Sequence, residues 1–368
     1  MQLAQGPRVR FSPFYRKSEA AGIRTATVYN RMVLPVATED PEADYEALTQ
    51  RVALWDVACQ RQVQVQGPDA LKLCQYISAR DLSQLKIGVA KYAPLCDHQG
   101  RLINDPVALR VDEDTIWFSI ADSDILLWVR AISGEREDNV EIIEPDVSPL
   151  AVQGPRATDT VAAVFGEWVR ELKLFHFKRI NHEGIPLVVC RSGWSKQGGF
   201  ELFLEDGTKG EQLWDLIWAA GEPHSIRVGA PNYAERIENF LLSWGSDTDS
   251  DSDPFEAAIG DYVDLGVEHD FVGKKALLAK REQGPTRELK GLLIDGEPLN
   301  PNPEPVGLQN PNGTHAGETR VIAYSPRYEQ NLGLAIIEVP HNLPGTKVQV
   351  ETPNGWRPAT VTDLPFDL

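Results

Sequence analysis

The segment 190–203, CRSGWSKQGGFELF, combines residue types that could bind a ligand: a lysine, two adjacent glycines and a carboxylate on an apolar strand. Lysine and glycine together suggest phosphate, but the P-loop pattern G-x-x-x-x-G-K-[ST] places its lysine after the glycines. Here Lys196 comes before Gly198 and Gly199, so the sequence does not predict a phosphate loop. A turn into the following strand explains Gly199 better.

That strand, FELFL at 200–204, alternates around a single acidic residue. Successive side chains on a strand point to opposite faces, so Glu201 shares a face with Phe203 and the other face is wholly apolar. We expect the apolar face to pack on the core and the face of Glu201 to point away from it. A carboxylate beside an aromatic ring is then available to a ligand, and an ordinary solvated strand carboxylate is the alternative.

Motifs of other reaction classes are absent from the sequence. It contains no G-x-G-x-x-G, no H-E-x-x-H and no G-x-S-x-G, the usual signatures of dinucleotide, zinc and serine-hydrolase sites. The seven histidines are scattered, and the four cysteines lie in or beside apolar runs without a C-x-x-C: Cys59, Cys74, Cys96 and Cys190. We therefore expect no metal site and four buried free thiols.

An aspartate-rich stretch at 246–254, SDTDSDSDP, alternates like the first ligands of a calcium loop. An EF-hand requires glycine at its sixth position and glutamate at its twelfth. Counted from Asp247, these positions hold Ser252 and Ala258. The sequence therefore favours a solvated acidic loop over a calcium site.

The charge of the chain limits its partners. Its 368 residues include 54 acidic and 36 basic side chains, which gives a net charge of -18. A chain this acidic repels nucleic acid and anionic lipid surfaces, so neither is an expected partner, whereas a small-molecule partner is compatible with this charge. The sequence has neither the apolar core of a signal peptide nor a run that could cross a membrane, which favours a cytoplasmic protein. We expect a monomer or a homodimer, and the sequence does not decide between them.

The strand of Glu201 lies within a mixed α+β pattern. Residues 40–57 begin with acidic side chains and then show helical spacing of apolar residues, which predicts a helix. A strand at 61–67 and a helix at 67–77 follow, and residues 89–131 predict consecutive strands that lead into another helix. Further strands and two helices up to residue 221 complete an α+β arrangement.

The C-terminal part of the chain differs in composition. Residues 289–368 consist of short β-type runs broken by glycine, proline and asparagine, which predicts a small all-β barrel or sandwich. The polar segment 279–288 before it predicts a linker. We therefore expect a larger domain of compact subdomains at 1–278, the linker, and a C-terminal β domain.

Several segments, in this order along nearly the whole chain, resemble the glycine cleavage T-protein (aminomethyltransferase) family of folate-dependent enzymes. The resemblance is carried by LWDVA (54–58), GVAKYAPLCDHQGRLINDPVAL (88–109), LAVQGP (150–155), CRSGWSKQGGFELFL (190–204), RIENFLLSWGSD (236–247), DFVGKKAL (270–277), SPRYEQNLGLAII (325–337) and LPF (364–366). It implies the T-protein-like fold, with a folate-binding domain before a C-terminal β-barrel, and tetrahydrofolate as the cofactor.

Within the family, other segments resemble the branch that moves a methyl group from dimethylsulfoniopropionate to tetrahydrofolate: NRMVLP (30–35), WDVACQRQVQVQG (55–67), LINDPV (102–107), SIADSD (119–124) and EPDVSPLAVQGP (144–155). T-proteins usually have two adjacent aspartates where this chain has Asn104 and Asp105. Their Arg-Thr-Gly-Tyr-Thr-Gly-Glu-type loop is Arg-Ser-Gly-Trp-Ser-Lys-Gln at 191–197 here. Both departures weaken an aminomethyl-lipoyl substrate, and the resemblance to this branch implies demethylation of the sulfonium to methylmercaptopropionate.

The resemblance implies roles for residues at matching positions. Asp105 is expected near the transferring carbon as the catalytic residue, whereas Glu201, Arg236 and Tyr92 are expected to bind the folate. A carboxylate can accept a pair of N–H bonds from the pteridine ring, which explains an acid on an apolar strand. The structural alternatives are turn chemistry for Asp105, a helix-surface ion pair for Arg236 and core packing for Tyr92.

A sulfonium donor is stabilised by aromatic faces, since a hard counterion would favour the ground state. Trp194 and Trp117 are the expected aromatic contacts to the donor. Ser119, Ser123 and Lys196 are further candidates for polar or carboxylate contacts. Core packing is the alternative for both tryptophans, and it is the favoured one for Trp117.

Three other functions remain open from the sequence. The same fold and cofactor could serve glycine betaine, dimethylglycine or another small methylated donor. The chain could catalyse the T-protein reaction itself, which requires a lipoyl carrier. It could also be a non-catalytic folate-binding or regulatory protein that turns over no donor.

Overall fold

The computed structural model describes residues 6–368, which form helices and strands of mostly modest length. The α-helices of this part of the chain are α1 (Tyr15–Ala21), α2 (Pro41–Gln50), α3 (Ala70–Ile77), α4 (Ile125–Arg136), α5 (Ala157–Phe165), α6 (Gly210–Gly221), α7 (Tyr233–Glu238) and α8 (Lys274–Gln283). The longest of them has 12 residues, and no helix within 6–368 has both the length and the apolar character to span a bilayer.

The strands are short in the first two thirds of the chain and longer in the last third. They are β1 (Thr25–Tyr29), β2 (Met32–Ala37), β3 (Ala53–Asp56), β4 (Gln62–Gln66), β5 (Ala90–Tyr92), β6 (Leu95–Cys96), β7 (Leu102–Asn104), β8 (Val107–Arg110), β9 (Thr115–Ser119), β10 (Glu141–Ile143), β11 (Ser148–Gln153), β12 (Phe177–His182), β13 (Ile185–Cys190), β14 (Gly199–Leu204), β15 (Arg227–Gly229), β16 (Arg287–Ile294), β17 (Gly307–Gln309), β18 (His315–Ser325), β19 (Gln330–Glu338), β20 (Lys347–Thr352) and β21 (Gly355–Thr362).

The chain divides into two compact units, each built from separate segments. Unit 1 comprises the chain up to Cys74 together with Leu82–Tyr92 and Pro106–Asn232, and unit 2 comprises Gln75–Asp81, Ala93–Asp105 and Tyr233–Leu368. The segment 279–288, predicted as a linker, includes the end of α8 and the start of β16. The division into a domain at 1–278, a linker and a β domain stays a prediction.

Unit 1 contains two sheets with strand orders β12-β13-β14-β11-β3-β15 and β10-β4-β9-β8-β5. One face of the six-stranded sheet packs on α5 and α6 in a core that includes Phe200, Leu202 and Leu204. A second apolar cluster joins Trp117 of the five-stranded sheet to Phe203 of the six-stranded one. The central strand β14 is therefore buried along all six of its residues.

The prediction of one helix over 40–57 is wrong in its second half. Helix α2 begins with the Asp40 side chain accepting from the backbone N–H of Ala43 (3.0 Å) and ends at Gln50. Residues 53–56 then form β3, which lies between β11 and β15 with both faces buried. A strand buried on both faces is a continuous apolar run, and periodicity alone does not separate such a run from a helix.

Unit 2 contains a closed barrel with strand order β16-β19-β18-β17-β20-β21. Its interior is filled by aliphatic side chains, among them Leu292, Leu308, Ile337, Val350 and Val361. Closure leaves no unpaired sheet edge. The prediction of a C-terminal all-β barrel is confirmed, and so is the prediction that all four cysteines are buried free thiols.

The last residue of β3, Asp56, is a buried carboxylate in unit 1 that is only 2% exposed. It accepts hydrogen bonds from the Ser12 hydroxyl and from the backbone N–H of Ala58. Burial is the largest influence on this group and raises the pKa of Asp56 to about 6.

We expect Asp56→Asn to stabilise the protein at pH 8 and to leave it unchanged near pH 4. An unfolded aspartate has a pKa of about 3.9, so between that pH and about 6 the folded chain retains a proton that the unfolded chain has lost. Wild-type stability therefore falls as the pH rises through this window. Urea unfolding should show a gain of about 1–3 kcal/mol at pH 8.

Asp112→Asn, the same substitution at an exposed position, is the control and should leave the free energy of unfolding unchanged at both pH values. If the free energies of unfolding of wild type and Asp56→Asn differ by the same amount at pH 4 and pH 8, the raised pKa of Asp56 is contradicted.

Candidate active site

The loop between β13 and β14 is fixed by one buried side chain, Gln153 at the end of β11. Gln153 is 0% exposed. Its amide nitrogen donates to the carbonyl oxygens of Ser192 (3.2 Å) and Phe200 (3.3 Å), and its amide oxygen accepts from the Ser195 hydroxyl (2.7 Å). The glutamine thus ties both the start of the loop and the start of the next strand to β11.

Two glycines allow the backbone to approach Gln153 this closely. Gly193 and Gly199 each have φ of +152°, where L side chains are rare. A Cβ at Gly193 would lie 2.1 Å from the amide nitrogen of Gln153, and one at Gly199 would lie 2.3 Å from the carbonyl oxygen of Val152. The glycines in this segment therefore serve close backbone approach and the entry into β14.

Glu201 lies in the middle of β14 and is only 8% exposed. One carboxylate oxygen accepts from the Ser192 hydroxyl at 2.5 Å. Within residues 6–368 the carboxylate forms no ion pair with a basic side chain. Burial therefore raises the pKa of Glu201, and the hydrogen bond from Ser192 only partly opposes this.

The expectation that the face of Glu201 points away from the core is wrong, and so is the alternative of a solvated carboxylate. The sequence shows only β14 itself, whereas the second sheet covers this face and packs Trp117 against Phe203, with ring centroids 6.5 Å apart. The cross-strand neighbours of Glu201 are Cys190 on β13 and Ala151 on β11. Burial, together with the Glu201 charge, raises the pKa of the Cys190 thiol.

A buried carboxylate without a cation is costly unless donors satisfy it. Glu201 has one such donor in Ser192 and can accept further hydrogen bonds, since an ionised carboxylate has about four lone-pair sites. A ligand with adjacent N–H groups matches this capacity. The Glu201 carboxylate is a hydrogen-bond acceptor and therefore fits a ligand that presents N–H groups better than it fits an anion.

Trp117 lies in the core of unit 1, and its contact with the donor stays a prediction. It is 2% exposed, and its indole N–H donates to the side-chain oxygen of Gln64 (2.9 Å). The ring belongs to the apolar cluster between the two sheets. The packing alternative, favoured from the sequence, is the one that this placement supports.

The other predicted residues of unit 1 lie at strand ends and in loops. Trp194 is half-buried and Lys196 is exposed, both on the loop that carries Ser192. Ser119 ends β9 and accepts from the side-chain amide of Gln62 (3.0 Å). Two more residues are half-buried, one at the end of β5 and one in the turn after β9: Tyr92 and Ser123. The ligand contacts of all five stay predictions.

Two further predicted residues, Asp105 and Arg236, lie in unit 2. Asp105 is half-buried and follows β7 directly. Arg236 on α7 is 3% exposed and donates to both carboxylate oxygens of the fully buried Asp247, at 2.8 and 3.2 Å. The alternative of an ion pair on the helix surface is therefore wrong, because Arg236 and its partner Asp247 are both buried. This placement favours a structural role for Arg236, and its folate contact stays a prediction.

The aspartate-rich stretch lies in a loop that we call the aspartate loop, residues 244–253. The expectation of a solvated loop is wrong, because basic side chains distant in sequence bind its carboxylates. Arg287 and Arg320 bind Asp249, and Lys280 binds the buried Asp253 at 3.0 Å. Charge-assisted hydrogen bonds from Arg287 hold the pKa of Asp249 well below its usual range.

Sequence reasoning missed Gln153, Ser192 and Ser195 as residues that shape the site. Each lies within a segment that was singled out, LAVQGP or CRSGWSKQGGFELF, but none was assigned a role. The available signal was Gln153 itself, a polar side chain at the end of an apolar strand. Its partners are fixed by the pairing of β11 with β14, which one sequence does not give.

Family models match both parts of the chain: the GCVT N-terminal domain over residues 16–266 and the glycine cleavage T-protein C-terminal barrel domain over residues 287–367. The chain belongs to the glycine cleavage T-protein family. The solved aminomethyltransferase T of the glycine cleavage system from Bartonella henselae has the same fold, with a TM-score of 0.86 at 22% identity over 97% of this chain and 98% of that one. The T-protein-like fold predicted from the sequence is confirmed.

Among curated members of the T-protein family, this chain is 44% identical over 356 residues to the dimethylsulfoniopropionate demethylase DmdA of Ruegeria pomeroyi, covering 97% of each. It is 30% identical over 369 residues to the aminomethyltransferase of Symbiobacterium thermophilum, covering 96% of each. The aminomethyltransferase of Bacillus mycoides is 31% identical over 90% of this chain and 91% of that protein.

We expect Glu201→Gln to stabilise the free protein and to weaken its binding of tetrahydrofolate. Because the folded-state pKa of Glu201 is raised, ionised Glu201 costs stability as the pH rises above its unfolded value, and glutamine removes this cost. Thermal unfolding at pH 7.5 should show a melting temperature a few degrees higher. Titration with tetrahydrofolate should show a dissociation constant about 10- to 100-fold larger.

Glu205→Gln is the matched control, because Glu205 lies just after the same strand but is paired with Arg179. It should leave folate affinity unchanged and should not raise the melting temperature. A Glu201→Gln variant that is less stable than wild type and binds folate normally would show that the carboxylate is structural.

Proposed function

We propose that this protein is a tetrahydrofolate-dependent methyltransferase that converts dimethylsulfoniopropionate to methylmercaptopropionate and forms 5-methyltetrahydrofolate. The observation that carries the proposal is the 44% identity, over 97% of each chain, to a protein named dimethylsulfoniopropionate demethylase. Two relatives named aminomethyltransferase are only 30% and 31% identical. The departures from the T-protein pattern at Asn104 and in the loop 191–197 support the same substrate.

Glu201 is the proposed anchor of the cofactor. Its buried carboxylate would accept N–H bonds from the pteridine ring, and the hydrogen bond from Ser192 holds the carboxylate in place. When bound, tetrahydrofolate supplies N5 as the acceptor of the methyl group. A carboxylate buried without a cation gains more from such N–H donors than a solvated one does, because no water competes for its lone pairs.

The reaction is an in-line displacement that needs little acid or base chemistry. The bond between the sulfonium sulfur and the methyl carbon would break with its electron pair staying on the sulfide product. The methyl group would pass to the acceptor that bound tetrahydrofolate would supply, with one proton released to water. Dialkyl sulfide is already a good leaving group, so the work of the protein is to hold donor and acceptor at near-attack distance. Asp105 is the proposed catalytic residue, which orients the reactants and stabilises the positive charge that develops on N5.

The loop that Gln153 fixes is the proposed donor-binding segment. Trp194 offers an aromatic face to the sulfonium, and Lys196 on the same loop offers a cation to the carboxylate of the donor. Since Gln153 ties this loop to β11 and to the strand of Glu201, the donor and the pteridine are held by one rigid element. The buried free thiols suit a reducing cytoplasm, where we place the reaction.

Product analysis tests the proposal directly. The protein is incubated anaerobically with tetrahydrofolate and, in parallel, with dimethylsulfoniopropionate, glycine betaine, dimethylglycine or sarcosine, and products are separated and identified by mass spectrometry. We expect 5-methyltetrahydrofolate with the sulfonium alone. If 5-methyltetrahydrofolate forms only with an ammonium or amine donor, that donor is the substrate and the sulfonium is not. If no donor gives product, the carrier-dependent or the non-catalytic alternative is favoured.

We expect Trp194→Leu to raise the KM for dimethylsulfoniopropionate by about tenfold, with folate affinity unchanged, because leucine keeps apolar bulk and removes the aromatic face. Steady-state kinetics at saturating tetrahydrofolate measure the change. Trp356→Leu, at an exposed position of the barrel, is the control and should have no effect. An unchanged donor KM in Trp194→Leu would assign that ring to packing.

A further inference from the structure

Asp105 directly follows a very short two-stranded β-ribbon in unit 2, formed by β6 and β7. Strands β6 and β7 pair through only two positions, Leu95 with Asn104 and Cys96 with Leu102. A ribbon of this size has little stability of its own. If Asp105 is to be held precisely enough to act on a reacting atom, the elements around the ribbon must fix it.

The turn of the ribbon is fixed by its own charges. One carboxylate oxygen of Asp97 accepts from the backbone N–H groups of Gln99 and Arg101, both at 2.9 Å. The other oxygen accepts from the Arg101 side chain at 2.7 Å. These bonds close the far end of the ribbon but do not reach the end at which Asp105 lies.

Strand β7, which leads to Asp105, is held at its first residue by the aspartate loop. Both backbone groups of Leu102 bond to it: the Leu102 N–H donates to the carbonyl oxygen of Ser252 (2.8 Å), and its carbonyl oxygen accepts from the indole N–H of Trp244 (3.0 Å). Leu102 is three residues before Asp105 in the sequence. The aspartate loop thus holds β7 through one backbone and one side-chain hydrogen bond.

The aspartate loop is in turn held by two arginines of the barrel. The Ser252 hydroxyl donates to a carboxylate oxygen of Asp249 (2.9 Å), and the Asp249 N–H donates back to that hydroxyl (3.1 Å). Arg287 on β16 binds both oxygens of Asp249, at 2.7 and 2.8 Å, and Arg320 on β18 binds one of them at 3.2 Å. The contacts therefore run without a break from two barrel strands to the ribbon.

We infer that Trp244 and Asp249 are positioning residues for Asp105, so that the aspartate loop sets the rate of methyl transfer without touching a substrate. The inference rests on the proposed function, since it assigns the effect to the proposed catalytic role of Asp105. Small displacements of a reacting group have large effects on rate. Groups that only support a reacting residue therefore change kcat more than they change binding.

Trp244→Phe tests the inference because it removes the indole N–H and keeps an aromatic ring. We expect kcat with dimethylsulfoniopropionate to fall about five- to tenfold, while the donor KM and the tetrahydrofolate dissociation constant stay within about twofold of wild type. Trp356→Phe, which makes the same change at an exposed site of the same unit, should leave kcat unchanged. Asp249→Asn, which weakens the bonds to both arginines, should lower kcat in the same way and serves if Trp244→Phe does not fold.

A double-mutant cycle separates positioning from general destabilisation. If Trp244 acts through Asp105, Trp244→Phe should have no further effect on kcat in an Asp105→Asn background, or in Asp105→Glu should the asparagine variant fall below detection. If Trp244→Phe lowers kcat by the same factor in both backgrounds, the inference is overturned. It is also overturned if the single variant Trp244→Phe has an unchanged kcat.

Hydrogen exchange followed by mass spectrometry gives a readout that does not depend on activity. We expect the segment 101–105 to exchange faster in Trp244→Phe than in wild type or Trp356→Phe, and unchanged exchange would overturn the inference. A failure of the proposed function looks different. Either no methyl transfer occurs from dimethylsulfoniopropionate, or Asp105→Asn turns over as wild type does, and in both cases the exchange of 101–105 still reports whether the loop holds the ribbon.

Discussion

The proposed ligand site of unit 1 depends on one constraint, the removal of the Glu201 carboxylate from water. Glu201 lies between two sheets with a single hydroxyl donor, Ser192, and no basic side chain bound to it among the described residues. Folding brings it there because its neighbours on β14 bury their side chains on both faces of the sheet. The loop before it is held by Gln153 and by glycines that allow close backbone contact. A site that costs stability in the free protein and gains it back on binding is a common property of functional sites.

Three acids of the aspartate loop in unit 2 are instead bound by basic side chains. Asp247 is bound by Arg236, Asp249 by Arg287 and Arg320, and Asp253 by Lys280. Pairs of this kind fix geometry, and removing one partner would leave an uncompensated charge. Acidic side chains therefore differ in role between the units. In unit 1 the Glu201 carboxylate is able to accept further hydrogen bonds from a ligand, whereas in unit 2 the acids of the aspartate loop hold a backbone segment in place.

The sequence was sufficient for the parts of the fold that are local or that follow the family pattern. The C-terminal barrel, the strand β14 and the acid on it could all be predicted. The burial of Glu201 could not, because the covering sheet is formed by strands between residues 62 and 143 whose packing partner is not visible in the sequence. The aspartate loop was misjudged for a similar reason, since Asp249 is bound by arginines 38 and 71 residues further along. At 53–56 a strand buried on both faces could not be distinguished from the end of a helix.

The most direct test of the account is a crystal structure of the protein with tetrahydrofolate bound. The account predicts that the Glu201 carboxylate accepts hydrogen bonds from ring N–H groups of the pteridine while Ser192 keeps its bond to the same carboxylate. A pteridine bound elsewhere, with Glu201 still hydrogen-bonded to Ser192 alone, would contradict it.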